Sequence, residues 1–334
     1  MAVDSSPNVL FLICDDLNNA IAGMGRRPYA PAPNLQRLMQ RGVRFPFGYS
    51  NCPVSLPSRN SLFSGLYPHR TGHYTLWDRW RTITPIETTR GACRLQWGRP
   101  LLRDSVMMPR FFKENGYGVY GAGKVLHEGV VNPDWWTETA YGPDYGPMLS
   151  GPLTEKQKRL HEGEPLKSYV RRYAGVDDFF IRRDGAFANP IETAYGPLDE
   201  LLEGRQANAI NGDGSPYRYV DDDDRDPLPD EKVAAWGVDV LQREHDEPFF
   251  LALGFMKPHT PLNAPREYFE RFPLDELELP PQRAGDTEDC ARALVEHRPY
   301  GFLMYDLVCK GGETGWREWL QAYLACVAFV DDQI

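Results

Sequence analysis

The chain predicts an α/β fold built on a mainly parallel sheet, and three observations point there. A nearly continuous apolar run from Asn8 to Cys14 has the composition of a strand buried on both faces. A second such run, Phe249 to Phe255, follows a clean amphipathic segment from Pro229 to Arg243. Between and after them, strand-like and helix-like patterns alternate, as they do when helices cover a parallel sheet.

In chain order, the first strand ends at Asp15-Asp16, and Ala32 to Arg41 spaces its apolar residues as an amphipathic helix. Val43 to Phe47 reads as a short extended piece. Pro57 to Ser64 reads as a helix opened by proline and closed by Gly65. Met107 to Asn115 is expected to be helical, and Tyr117 to Gly121 a strand leading to Gly123-Lys124. Trp316 to Ile334 carries a long helical pattern. From about 128 to 228 the periodicity fails, and Pro, Gly, Trp and charge predominate, which suits long loops and insertions around a site mouth. The acidic run Asp221 to Asp224 reads there as a solvated surface loop. There is no internal repeat and no low-complexity linker.

Composition limits the function classes. With 334 residues, 42% hydrophobic and 25% charged, the chain can bury a large core. The net charge of -10 argues against nucleic acid or an anionic membrane as the main partner. The longest clean apolar run, Ala322 to Val330, is too short to cross a bilayer. Acidic residues flank the run nearest the N-terminus, so it does not read as a secretory signal. As written, the chain reads as soluble and cytoplasmic, or as periplasmic or secreted if a leader has been removed. Cys14, Cys52, Cys93, Cys290, Cys309 and Cys326 are scattered without a CxxC pair, so buried free thiols are expected rather than a zinc site or disulfide scaffold.

Two local patterns carry chemistry. Asp15 and Asp16 fall at the carboxyl end of the first strand, where open α/β sheets place their ligands. Adjacent carboxylates suit a hard divalent cation, although a helix N-cap followed by a first-turn acid would use the same residues. In Ser55-Leu-Pro-Ser-Arg59, a helix opened by Pro57 puts Ser55 beside free backbone N–H groups that favour an anion. Arg59 lies one turn further and can reach back. A plain serine-capped helix is the alternative.

The run Ser55-Leu-Pro-Ser-Arg-Asn-Ser-Leu-Phe-Ser-Gly65 resembles the sulfatase signature C/S-x-P-S-R-x-x-x-x-x-G. So do its flanks, Phe47 to Pro53 and Leu66 to Gly72, and the opening from Pro7 to Leu17. Gly123-Lys-Val-Leu-His127 and Pro248 to Pro261 are most similar to the iduronate-2-sulfatase-like group. The resemblance runs from about residue 7 to 334 and is weak in the loops. It implies an alkaline-phosphatase-like sandwich with a mainly parallel central sheet and helices on both faces, its C-terminal part missing. On this view 1–334 is an incomplete catalytic domain without its C-terminal subdomain.

The resemblance also implies roles. Ser55 falls at the position converted to formylglycine, whose hydrated aldehyde attacks sulfur, whereas Cys52 is out of register with Arg59. Asp15, Asp16 and the modified Ser55 would bind one calcium ion. Arg59 would hold the formylglycine hydrate, Lys124 the sulfate with His127 nearby, and His259 would stand near the leaving-group oxygen, with Lys257 at the substrate rim. Implied partners are a sulfate ester, small or glycan, and a maturation enzyme acting on serine. A later S-D-H-G-like segment, which supplies two further calcium ligands, and a later sulfate-binding Lys have no counterpart before Ile334. The sequence is therefore expected to be a fragment that needs the missing part for catalysis and leaves sheet edges exposed. Two other readings follow from the same residues: a phosphate or phosphonate ester hydrolase of the same superfamily, and an inactive sulfatase-like protein.

Overall fold

The computed structural model describes residues 6–19, 31–74, 104–127, 129, 132–149, 195–203, 209–211, 214–281, 285, 288–292, 308–309 and 311–334. In chain order the elements are β1 (Val9–Cys14), α1 (Pro33–Arg41), α2 (Ser55–Ser64), α3 (Pro68–Thr71), α4 (Met108–Glu114), β2 (Gly118–Gly123), β3 (Glu138–Ala140) and β4 (Met148–Leu149). They continue with β5 (Tyr195–Pro197), α5 (Leu198–Leu202), β6 (Ala209–Ile210), α6 (Pro229–Gln242), β7 (Phe249–Phe255), β8 (Leu262–Ala264), α7 (Arg266–Glu270) and α8 (Gly312–Gln333).

The main sheet has the order β1-β7-β2-β3, and all its pairs are parallel. β7 lies inside it and every residue of the strand is buried, which is why its sequence is continuously apolar. Helices cover both faces. On one, Phe63 of α2 and Phe112 of α4 pack on Phe11 and Phe250, with the Phe112 and Phe250 rings stacked at 4.4 Å. On the other, Val233 and Val240 of α6 and Val330 of α8 pack on Leu251, Leu253 and Ala122. The third cluster joins α8 to β5, β8 and α7. The expected α/β sandwich is thus present.

α1 shows how distant parts of the chain complete one another. It has no side-chain cap of its own. Instead the Asp331 carboxylate of α8 accepts from the backbone N–H groups of Asn34 at 3.0 Å and Leu35 at 2.8 Å. An anion at a helix start satisfies donors that have no intrahelical partner.

Several expectations need correction. Val43 to Phe47 joins no strand, and Val43, Phe45 and Phe47 are exposed. The helix expected from Pro57 begins two residues earlier: Ser58 donates to Val54 O at 3.0 Å, so Ser55 lies inside the first turn rather than before it. Gly65 closes that helix in the left-handed region, with φ 70°. Within 128–228, β3 extends the main sheet and β5 pairs with β8, so this stretch is not all loop. Residues 150–194 of it lie outside the described residues. Cys52 and Cys326 are buried free thiols as expected, but Cys290 and Cys309 are exposed; Cys93 lies outside the described residues. Among the described residues β1 forms one edge of the sheet, paired only with β7, and Leu10 on it is exposed. No helix among them is long and apolar enough to cross a membrane.

Candidate active site

Three neighbouring parallel strands deliver the site. β1 runs out into Asp15, β2 into Lys124, and β7 into the turn that carries His259. Their carboxyl ends share one edge of the sheet, the place where such folds bind ligands. The crossing of β2 and β7 is tight. Gly123 has φ 74°, and a Cβ there would fall 2.1 Å from Gly254 O; a Cβ on Gly254 would fall 2.1 Å from the Lys124 carbonyl carbon. Two glycines therefore let the backbones touch, and Lys124 N–H donates to Gly254 O at 2.8 Å.

Asp15 is the centre of a buried ion cluster. Lys124 Nζ meets Asp15 Oδ2, and Arg59 Nη2 lies 3.3 Å from Asp15 Oδ1. Lys124 is fully buried and Arg59 nearly so. Burial pushes the Asp15 carboxyl up, but Lys124 and then Arg59 outweigh it and hold the group below its ordinary value. Arg59 reaches further: Nε donates to Ser55 Oγ at 3.0 Å, and Nη1 donates to the Lys124 carbonyl and to Val125 O at 2.8 Å. A guanidinium has five donors in a fixed fork, so one residue of α2 holds the serine, the aspartate and the β2 turn together.

The histidines flank this cluster. His259 Nδ1 lies 2.6 Å from Thr260 O. A carbonyl only accepts, so Nδ1 carries the proton and Nε2 is left for chemistry. That Nε2 is 3.8 Å from Asp16 Oδ2. Burial and the Lys124 charge lower the His259 pKa, while Asp15 and Asp16 oppose them. His127 is pushed down to about 4 by burial and by Lys124, and its Nδ1 has no hydrogen-bond partner among the described residues. Asp16 is exposed and adopts φ 59°, a conformation uncommon outside glycine. Tyr323 of α8 donates to its carbonyl at 2.9 Å.

The fold thus joins Asp15, Ser55, Arg59 and Lys124 in one network and places His259 beside Asp16. Lys257 does not belong to it. Expected at a substrate rim, it is buried, and its ammonium donates to Pro261 O and, at 2.6 Å, to Asn263 Oδ1. Its neighbour Asp230, in the first turn of α6, accepts from the N–H groups of Met256 at 2.6 Å and Lys257 at 2.9 Å. Burial raises Asp230 to about 6, those two amides opposing it. Sequence reasoning missed Asp230, because an acid in a first helical turn is ordinary. It also missed Tyr145, which lies in the aperiodic stretch. The Tyr145 hydroxyl accepts from Lys124 Nζ at 3.1 Å, and its ring meets that of His259 edge-on at 5.4 Å between centroids.

Asp15 and Asp16 offer hard oxygen donors of the kind calcium takes, and Ser55 could add a third. These fit in kind but fall short of the usual six to eight oxygens. Among the described residues no group of three or more His, Cys, Asp or Glu side chains could hold a metal ion. The residues present suit part of such a site.

A family model described as Sulfatase matches residues 7–146 and 150–334. A sulfatase of Formosa agariphila is 29% identical over 98% of this chain and 54% of its own length. Human iduronate 2-sulfatase is 25% identical, covering 98% of this chain and 50% of its own. The chain therefore spans about half the length of these relatives. Among solved structures, a phosphonate monoester hydrolase of Agrobacterium radiobacter shares the fold: TM-score 0.52, 18% identity, 98% of this chain and 57% of that one.

Proposed function

The chain belongs to the sulfatase family, and from that premise we propose that it carries the nucleophile-bearing part of a sulfuric ester hydrolase. The observation that carries this reading is the bridge made by Arg59, which links Ser55 to Asp15 beside the buried Lys124. A guanidinium on the hydroxyl and a second cation on the shared aspartate suit an anionic ester whose oxygens must be approached by an oxygen nucleophile. Ser55 itself is held by a guanidinium, and no base touches its Oγ among the described residues, so an unmodified serine would be a poor nucleophile there. Conversion to formylglycine would supply the missing reactivity through its hydrated aldehyde.

Arg59 and Lys124 both pair with Asp15, so these three groups together keep one positive charge in excess. A calcium ion held in part by Asp15 and Asp16 would add the positive charge that draws electron density from the ester. The chain's own groups have separable tasks in this proposal. Arg59 fixes position 55, Lys124 binds a sulfuryl oxygen, and His127 lines the anion site in its neutral form. His259, its Nδ1 held by Thr260, moves a proton at Nε2 to the leaving oxygen, with Asp16 favouring the protonated ring. The name of the human relative suggests a sulfated carbohydrate as the substrate.

Two measurements test the reading. The tryptic peptide Phe45–Arg59, taken from the native host, is expected two hydrogens lighter at Ser55 than its sequence mass. A peptide that is always unmodified serine would remove the formylglycine mechanism. Turnover of matched aryl sulfate and aryl phosphate esters should favour the sulfate; preference for the phosphate would reassign the activity.

A further inference from the structure

We propose that Tyr145 is a further anion-binding residue of this site, its phenol O–H donating to a sulfuryl oxygen held by Lys124. The inference rests on the sulfatase reading above.

An ammonium has only donors, so in the contact at 3.1 Å Lys124 Nζ gives and the Tyr145 oxygen receives. The phenol therefore keeps its own O–H, and among the described residues nothing accepts it. Tyr145 is only half-buried, with Asp144 and Gly146 on either side in an extended stretch. Lys124 is itself fully buried between Asp15 and this phenol. An anion that comes to Lys124 thus arrives next to an unused O–H donor.

The ring has a second task. It meets His259 edge-on at 5.4 Å, and Lys124 Nζ lies 5.0 Å from its centroid. Tyr145 therefore touches both the residue assigned to the sulfate and the one assigned to the leaving oxygen. Hydrogen bonds to ionised acceptors are about twice as strong as neutral ones, so losing this donor should be visible in binding.

The test uses the protein as it occurs in its native host, with inorganic sulfate as the binding probe and an aryl sulfate as the substrate. Tyr145→Phe keeps the ring and removes the O–H. It is expected to weaken sulfate binding about tenfold and to raise KM by a similar factor, with kcat within about threefold of wild type. A purely structural role would instead lower the melting midpoint and leave KM alone. Sulfate affinity and KM within twofold of wild type would overturn the proposal. The wild-type chain gives a second readout: bound sulfate should protect Tyr145 from nitration, judged peptide by peptide, and undiminished nitration in saturating sulfate would count against it.

The two levels separate cleanly. If the wild-type chain binds sulfate but turns over no sulfate ester, and Tyr145→Phe weakens binding, the hydrolase reading fails and this one stands. If turnover is present and Tyr145→Phe changes nothing, the reverse holds. Wild-type protein that neither binds sulfate nor cleaves the ester removes both.

Discussion

Two buried polar clusters lie past the ends of the neighbouring strands β2 and β7, and they are built on opposite plans. Around Lys257, each strong group is answered within the protein: the ammonium by Pro261 O and Asn263 Oδ1, the Asp230 carboxylate by two backbone amides. Around Lys124, charges from two other segments converge on Asp15, while among the described residues Tyr145 keeps a donor without an acceptor and His127 Nδ1 has no partner. The first cluster holds the turn after β7 in place. The second leaves hydrogen-bonding capacity unused at the ends of β1, β2 and β7. Unused hydrogen-bonding capacity beside buried charge is what distinguishes a site from a strut.

The two lysines carry the largest expected effects. Lys124→Met should lower kcat/KM for an aryl sulfate by about a thousandfold, since it removes a cation aimed at developing charge. Activity within tenfold of wild type would mean that the Lys124 cluster is not the reacting one. Lys257→Met should do the reverse. It leaves a buried carbonyl and amide oxygen without their donor and is expected to cost about 3 kcal/mol of stability, read by urea denaturation. Turnover per folded molecule should stay within about threefold. A folded Lys257→Met protein as inactive as Lys124→Met would erase the distinction.

A finer test uses pH. Asp230 is raised from 3.8 to about 6, so its contribution to stability is fully present below 3.8 and is lost as pH climbs towards 6. His127 is lowered from 6.5 to about 4, so its contribution is present above 6.5 and is lost as pH falls towards 4. The two slopes oppose one another over the same range. Asp230→Asn should remove the first, on the order of 2–3 kcal/mol between pH 4 and 6, and leave stability rising with pH. Parallel curves for wild type and variant would show that Asp230 titrates normally in the fold.

Much of this was legible in the sequence because the signals were local. A strand buried on both faces must be continuously apolar, and β7 is; β1 is equally apolar but forms the sheet edge, only partly buried and with Leu10 exposed. The spacing from Ser55 to Arg59 is one helical turn, so their contact at 3.0 Å follows from α2 alone. The resemblance to sulfatases likewise rested on short runs, each read without knowing where the others lay. Helix starts were less secure: Pro57 marked a plausible first turn, but the hydrogen bond from Ser58 to Val54 moved the start to Ser55.

By itself, then, the sequence determined the α/β class, the positions of β1, β7, α2 and α6, the family, and which residues could bear charge in a site. Only the tertiary structure decided which of those charges meet. Lys124 and Lys257 each follow an apolar strand, and the family resemblance set the first at the sulfate and the second at the substrate rim. Gly123 and Gly254 bring the β2 turn against β7 and direct Lys124 to Asp15, whereas Asp230 and Asn263 enclose Lys257. Asp331 likewise caps α1 from 297 residues away, and Tyr145 reaches Lys124 from a stretch without periodicity. Hydrophobic periodicity records which face of an element is buried. It carries no record of which distant polar group will be buried beside it, because that depends on how the packed elements place their ends.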